Sequence, residues 1–205
     1  MPSGEQKKGL LRQLLSPASR LTPRGRARRR FNCGKQGEWN ERAETAVGLL
    51  QAHRDEWMTG LERPSIADFG AGNERLRPLL AKTLGSAPDY HPYDLHPQQP
   101  TTQRLDVAAG LPARQFDLAI CLGLLEYLPS IPDLALSLRG VCRFALVSYV
   151  TSDSPVAIDR AERERHGWVT HLTATELEAA FAGAGFAALG STESDGRATR
   201  LWLWG

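Results

Sequence analysis

The sequence predicts an α/β fold in which helices cover a mostly parallel β-sheet, and three observations support this prediction. Residues 65–80 read as a short apolar strand, a glycine-containing turn and a helix. Residues 118–125 form an apolar run, typical of a strand buried on both faces of a parallel sheet. The chain ends in two strand-like segments joined around Asp195 and Gly196, which is a hairpin signal. A length of 205 residues suits one such domain.

The glycine-containing turn is the most informative element. Its sequence is S-I-A-D-F-G-A-G-N-E-R-L-R-P-L-L. Gly70 and Gly72 lack a Cβ, so the backbone can turn tightly and approach a ligand closely. Asp68 would place a carboxylate among the unpaired amides of the turn and order it. A dinucleotide site needs a third glycine at position 75, which is Arg75, so a different nucleoside ligand is favoured. The alternative is a tight turn without a ligand.

The second strand is predicted over residues 90–95, and it ends in an acid. Asp94 follows the glycines by about twenty residues, where nucleotide-binding folds place the carboxylate that accepts ribose hydroxyls. The alternative is a solvated aspartate at the end of a strand.

The remaining elements follow from periodicity and from end signals. Apolar residues at near-helical spacing predict an amphipathic helix over 39–57. Further along, we predict a helix over 134–141, a strand over 143–150 and a helix over 173–185 that starts with hydroxyl and acidic residues and ends in glycine. The final hairpin is predicted over 186–191 and 199–204.

These motifs, in this order, resemble the class I S-adenosylmethionine-dependent methyltransferases. Asp68, Gly70 and Gly72 match the first family motif, while Glu74 stands where the family usually has a third glycine. The resemblance covers residues 39–205. It implies a three-layer sandwich with a mostly parallel seven-stranded sheet, an antiparallel hairpin at its end and helices on both faces. We divide the chain into a flexible basic arm over 1–30 and a methyltransferase domain over 31–205.

The resemblance also implies the cofactor, S-adenosylmethionine, and the residues that bind it. By family position, Asp106 would receive the adenine amine, although it could instead cap a loop. The predicted cofactor-binding residues are Asp68, Gly70, Ala71, Gly72, Asp94, Leu95, Asp106, Val107 and Leu122.

The predicted chemistry is in-line displacement at an already electrophilic methyl group, so positioning matters most and a base is needed only if the acceptor must lose a proton. Glu126, after the fourth strand, is the first candidate base, followed by Tyr149 and His171, with Tyr127 and His166 behind them. His171 could instead cap the helix that begins near Thr173. We see no residue pattern that demands a metal.

The acceptor is predicted to be a small molecule or a polar conjugate. The arm carries nine basic residues against Glu5 alone, so it could contact nucleic acid or an anionic membrane surface, and an RNA methyltransferase is one alternative. A non-catalytic scaffold is the other, and the oligomeric state is left open. Three separated cysteines and the lack of a membrane-spanning run predict a cytoplasmic protein.

Overall fold

The computed structural model describes residues 36–156, 158–196 and 198–205. The basic arm predicted over 1–30 lies outside these residues, and so does Cys33. The division of the chain at residue 30 therefore stays a prediction.

A single seven-stranded sheet forms the centre of the domain, with strand order β3-β2-β1-β4-β5-β7-β6. The first five strands are parallel, and β7 lies antiparallel between β5 and β6. This arrangement confirms the predicted fold class, including the antiparallel hairpin at the end. The strands are β1 Ser65–Phe69, β2 Asp89–Asp94, β3 Gln103–Arg104, β4 Phe116–Cys121, β5 Cys142–Tyr149, β6 Ala188–Ser194 and β7 Thr199–Trp204.

Six α-helices accompany the sheet in the described part of the chain. Two short 3-10 turns, Val107–Ala109 and Leu125–Tyr127, follow β3 and β4. The predicted helix over 39–57 is present as α1 and α2, whereas α5 was not predicted because its sequence, R-A-E-R-E-R, carries no apolar stripe. The helices are α1 Gln36–Ala52, α2 Arg54–Trp57, α3 Leu76–Leu84, α4 Ile131–Val141, α5 Arg160–Arg165 and α6 Ala174–Gly183.

Two hydrophobic cores lie on opposite faces of the sheet. Side chains alternate between the faces of a strand, so in β4 Leu118 and Ile120 join the core under α1, α2 and α3. Ala119 and Cys121 join the other core, under α4 and α6. Both faces of β4 are therefore buried, as its apolar sequence predicts, and the domain has three layers.

The boundaries of the last elements differ from the prediction in one informative way. Phe186 was expected to open β6, but it is buried against Phe181 of α6 at a ring distance of 5.7 Å, and its N–H donates to the Phe181 carbonyl. Phe186 thus closes the helix, and β6 begins two residues later. Asp195 and Gly196 form the predicted hairpin turn, both with positive φ (54° and 63°). Among the described helices, none is long and apolar enough to cross a membrane.

Candidate active site

The carboxyl ends of four parallel strands meet at one edge of the sheet, where open α/β sheets bind their ligands. The glycine turn follows β1, Asp94 ends β2, the Leu125–Tyr127 turn follows β4, and Tyr149 ends β5. The fold therefore places the predicted cofactor-binding residues and the predicted catalytic residues at the same edge.

The backbone of the glycine turn is held by the end of β2. The N–H groups of Gly70 and Ala71 both donate to the Tyr93 carbonyl, at 2.8 and 3.0 Å. Gly70 and Gly72 have φ values of 82° and 53°, which glycine adopts without strain. A Cβ added to Gly72 would meet no atom of the described residues within 4 Å, chain neighbours aside, so the space before this backbone is open.

Asp94 borders that open space. Its carboxylate is buried and accepts the Gly72 N–H at 3.0 Å on one oxygen and the His96 N–H at 2.7 Å on the other. Asp94 therefore fastens the turn after β1 to the end of β2. Because each carboxylate oxygen offers about two acceptor sites, both oxygens can still accept a hydroxyl from a ligand.

Asp68 does not lie among the turn amides, contrary to the prediction. Its buried carboxyl group accepts a hydrogen bond from the Tyr90 hydroxyl of β2. The amides that it was expected to order are taken by Tyr93 and Asp94 instead. Burial raises the pKa of Asp68 from 3.8 to about 7, and this outweighs the opposing effect of the Tyr90 hydrogen bond.

Glu74, at the position of the missing glycine, has a structural role that sequence reasoning did not find. Its φ of 60° lies in the left-handed region that favours glycine. Its side chain is buried, and one oxygen accepts hydrogen bonds from the hydroxyls of Thr101 (2.5 Å) and Thr102 (2.6 Å). The other oxygen lies 2.9 Å from Nε of Arg77. Glu74 therefore ties the start of α3 to the loop after β2.

The Asp106 loop lies beside Asp94, because the N–H of Leu105 donates to the Asp94 carbonyl at 3.0 Å. Asp106 is exposed, and its carboxylate accepts the Ala108 N–H at 3.1 Å, so it caps the 3-10 turn as the alternative interpretation holds. This exposed carboxylate keeps acceptor sites for a ligand amine. Leu95 and Val107 are half-buried, and Leu122 is buried.

The loop after β4 links the glycine turn to the predicted catalytic residues. The Leu124 side chain lies 3.5 Å from where a Cβ of Gly70 would be. Next to it, the Leu125 carbonyl accepts the Thr170 hydroxyl at 3.3 Å. Leu124 therefore covers the turn on one side while Leu125 anchors the segment before α6.

Glu126 lies inside the protein, with 1% of its surface exposed. One carboxylate oxygen accepts the Val150 N–H at 2.9 Å, and its backbone carbonyl accepts the Val169 N–H at 2.7 Å. The second carboxylate oxygen is buried and has no hydrogen-bond partner among the described residues. Burial raises the pKa of Glu126, and the nearby charges of Arg42 and Arg163 partly oppose this. In this position, Glu126 holds the end of β5, and its role as a base stays a prediction.

Arg163 of α5 is the residue that sequence reasoning missed. It is only 1% exposed, and its guanidinium donates to the Val150 carbonyl at 2.7 Å and to Nδ1 of His171 at 3.2 Å. It also lies over the rings of Trp168 and Tyr149, at 5.0 and 5.7 Å from their centroids. The alternating Arg and Glu residues of α5 indicate a solvated helix, so no pattern in the sequence distinguishes Arg163.

Arg163 donates hydrogen bonds to both Tyr149 and His171. The Tyr149 hydroxyl donates to the Thr170 hydroxyl at 3.2 Å and accepts the Leu172 N–H at 3.0 Å, and burial raises the pKa of this phenol. His171 is half-buried, and burial followed by the Arg163 charge lowers its pKa. Thr173 itself caps α6 in a capping box with Glu176, so the alternative role of His171 as a helix cap is wrong.

Within residues 36–156, 158–196 and 198–205, no cluster of three or more His, Cys, Asp or Glu side chains could hold a metal ion. Cys121 and Cys142 are buried in the sheet, and burial raises the pKa of both thiols. These two cysteines belong to the core.

Comparison with solved structures shows the same fold in several methyltransferases. The Burkholderia thailandensis 1,6-didemethyltoxoflavin-N1-methyltransferase, solved with 1,6-didemethyltoxoflavin and S-adenosylhomocysteine, has a TM-score of 0.58 and 18% identity, covering 100% of this chain and 90% of that one. An S-adenosylmethionine-dependent methyltransferase of Mesorhizobium loti has a TM-score of 0.52 and 18% identity, covering 75% and 97%. The magnesium protoporphyrin IX methyltransferase of Synechocystis PCC 6803, solved with S-adenosylhomocysteine, has a TM-score of 0.52 and 16% identity, covering 78% and 82%.

The sequence comparison gives the family. No curated protein is significantly similar to this sequence. A family model described as a methyltransferase domain matches residues 14–190, which is most of the chain. This match confirms the resemblance found in the sequence, and the chain therefore belongs to the methyltransferase-domain family.

Proposed function

We propose that this protein transfers a methyl group from S-adenosylmethionine to a small molecule or a polar conjugate. S-adenosylmethionine is the cofactor predicted from the sequence, and the family match together with methyltransferase structures that hold S-adenosylhomocysteine confirms it. The open backbone of Gly72 beside the Asp94 carboxylate is the observation that best supports this function. An adenosine can lie against this backbone while its ribose hydroxyls donate to Asp94.

The residues present fit such a cofactor. Asp94 would accept the ribose hydroxyls, and charge-assisted hydrogen bonds of this kind contribute about 1.5–3 kcal/mol each. The exposed carboxylate of Asp106 would accept the adenine amine. Gly70, Ala71 and Gly72 would form the floor of the site, flanked by Leu95, Val107 and Leu122. Asp68 lies beneath the turn, where a positively charged ligand would favour its ionised form.

The protein's own contribution to catalysis would be mainly positional. When bound, S-adenosylmethionine supplies a methyl group on a positively charged sulfur, which is electrophilic without further activation. Aligning the acceptor opposite that sulfur can supply roughly 7–11 kcal/mol of rate enhancement. The segment before α6, whose backbone contacts Glu126 and Arg163, would border the site and form the wall against which the acceptor lies. Leu124, over the glycine turn, would help to exclude water.

A small-molecule acceptor is the favoured class. The Burkholderia neighbour acts on 1,6-didemethyltoxoflavin, and the Synechocystis neighbour on magnesium protoporphyrin IX. Experiments must separate this function from two alternatives. One is an RNA methyltransferase that binds its substrate through the basic arm, and the other is a non-catalytic scaffold.

A matched pair of glycine substitutions tests the cofactor site. Gly72 and Gly85 both have positive φ (53° and 76°), and an added Cβ would meet no described atom within 4 Å at either, chain neighbours aside. Gly72→Ala and Gly85→Ala should therefore cost similar stability, about 1–2 kcal/mol each. Gly85 caps the carboxyl end of α3, at the opposite end of this helix from the glycine turn. Calorimetry should show weakened S-adenosylmethionine binding only for Gly72→Ala, and equal binding by both variants would contradict the proposed site.

Turnover separates the functional alternatives. Release of S-adenosylhomocysteine is measured with a panel of small acceptors and with total RNA, using the full chain and a variant that lacks residues 1–30. Methylation of a small acceptor by both forms would support the proposed function. Methylation of RNA alone, lost with the arm and steeply dependent on salt, would replace it with the RNA alternative. Cofactor binding without any turnover would favour the scaffold.

A further inference from the structure

The environment of His171 determines which of its ring nitrogens carries the proton. Nε of Arg163 donates to Nδ1 of His171 at 3.2 Å. A guanidinium cannot give up its proton or accept one in a protein, so Nδ1 must supply a lone pair. A neutral His171 therefore carries its proton on Nε2. Protonation of Nδ1 would break this contact and place two positive charges side by side.

On balance, the other charges around His171 also disfavour its protonated form. Arg160 adds a second positive charge that disfavours the imidazolium form, and Glu164 alone opposes it. Burial and the two arginines lower the pKa of His171. Within the described part of the chain, Nε2 has no hydrogen-bond partner, and the residue is half-buried. Its N–H is thus left for solvent or a ligand.

This arrangement is the reverse of a histidine prepared as a general base. A basic histidine usually donates its Nδ1–H to a carboxylate, which leaves a lone pair on Nε2. Here a cation donates to Nδ1, so Nε2 can only donate, as in enzymes that use a neutral imidazole as an electrophile. Two of the other candidate bases are also poorly placed to take a proton: the Tyr149 hydroxyl is engaged in the network around Thr170, and Glu126 is buried away from solvent.

We propose that His171 donates a hydrogen bond from Nε2 to the methyl acceptor, and that Arg163 is the positioning residue that fixes this tautomer. This proposal rests on the proposed function and narrows its substrate class. The acceptor carries an oxygen or ring nitrogen that accepts the hydrogen bond, and a nucleophile whose lone pair is already available at neutral pH. In the transfer, the nucleophile–carbon bond forms as the carbon–sulfur bond breaks. The electron pair leaves with sulfur, and any proton on the methylated atom passes afterwards to water.

Nuclear magnetic resonance of the nitrogen-15-labelled full chain tests the tautomer directly. The five histidines are assigned with single His→Gln variants, and His166→Gln serves as the matched control on the same segment. At pH 7, His171 should be neutral with its proton on Nε2. A proton on Nδ1, or a doubly protonated ring, would overturn the proposal. Arg163→Met, where it folds, should give mixed tautomers and a higher His171 pKa, and an unchanged tautomer would remove the role of Arg163.

A small probe tests the donor role without knowledge of the natural acceptor. Pyridine N-oxide, whose oxygen only accepts hydrogen bonds, is titrated into protein saturated with S-adenosylhomocysteine. The His171 Nε2 resonance should shift saturably, and His171→Phe should bind the probe about tenfold more weakly, which corresponds to one lost hydrogen bond. No saturable shift would refute the donor role. Failure to bind S-adenosylhomocysteine would instead refute the proposed function, while the tautomer measurement on the free protein would still stand.

Discussion

Replacing Asp68 by Asn should abolish a pH dependence of stability that the wild-type protein owes to this one carboxyl group. Asp68 is buried beneath the glycine turn and accepts a hydrogen bond from Tyr90. An asparagine oxygen can accept the same hydrogen bond from the hydroxyl. The substitution therefore removes the titratable group while leaving its contact in place.

The magnitude follows from the pKa in the folded and unfolded states. Folding raises the pKa of Asp68 from 3.8 to about 7. Between these values the unfolded chain has released the proton and the folded protein still holds it, so stability falls as pH rises, by about 1.4 kcal/mol per pH unit. From pH 5 to pH 8 the loss sums to roughly 2–3 kcal/mol. Above pH 8 both states are ionised, and the loss stops growing.

Urea denaturation at pH 5, 6, 7 and 8 measures this effect. For a slope of 1–3 kcal/mol per molar urea, the wild-type midpoint should fall by about 1–3 M more than that of Asp68→Asn. Tyr90→Phe is the matched control: it removes a hydrogen bond that lowers the pKa of Asp68, so the loss of stability should extend to higher pH. Parallel pH profiles for wild type and Asp68→Asn would refute the reasoning.

Three further predictions concern other buried groups. Glu126→Ala should lose about 1–3 kcal/mol in urea denaturation because a buried N–H at the end of β5 loses its acceptor, whereas Glu126→Gln should lose less; equal losses would contradict this role. Glu74→Gly relieves about 1–2 kcal/mol of backbone strain but loses carboxylate hydrogen bonds that contribute about 1.5–3 kcal/mol each, so the melting temperature should fall, and a rise would show that strain dominates. In a Cys33→Ser variant, Cys121 and Cys142 should react with a thiol reagent only after denaturation, and rapid reaction of the native protein would place them outside the core.

Most of the fold was predictable because it depends on local patterns. The apolar run of β4 requires burial on both faces, and the hairpin turn that begins at Asp195 and Gly196 requires positive φ, which Asp tolerates and glycine favours. Element boundaries were less predictable where tertiary contacts decide them. Phe186 has a side chain typical of a strand, but it packs against Phe181 and its N–H caps the carboxyl end of α6, so β6 begins only at Ala188.

The site was predictable where spacing along the chain carries the information. Asp94 was predicted from its spacing of about twenty residues from the glycines, and its contact with Gly72 arises because parallel strands bring the ends of β1 and β2 together. The roles of Glu74 and Arg163 were not predictable, because each depends on partners far along the chain or on burial that charged residues rarely have. A side chain that looks solvated in the sequence can be the centre of a buried network.

Mapping the binding site of S-adenosylhomocysteine by amide chemical shifts tests the central claim most directly. On addition of S-adenosylhomocysteine to the nitrogen-15-labelled protein, the amides of Gly70, Gly72, Asp94, Leu95 and Val107 should shift together and saturably. Amides at the opposite edge of the sheet, where the parallel strands begin, should stay in place. Saturable shifts confined to that opposite edge, or no shifts at millimolar concentration, would contradict a cofactor site at the glycine turn.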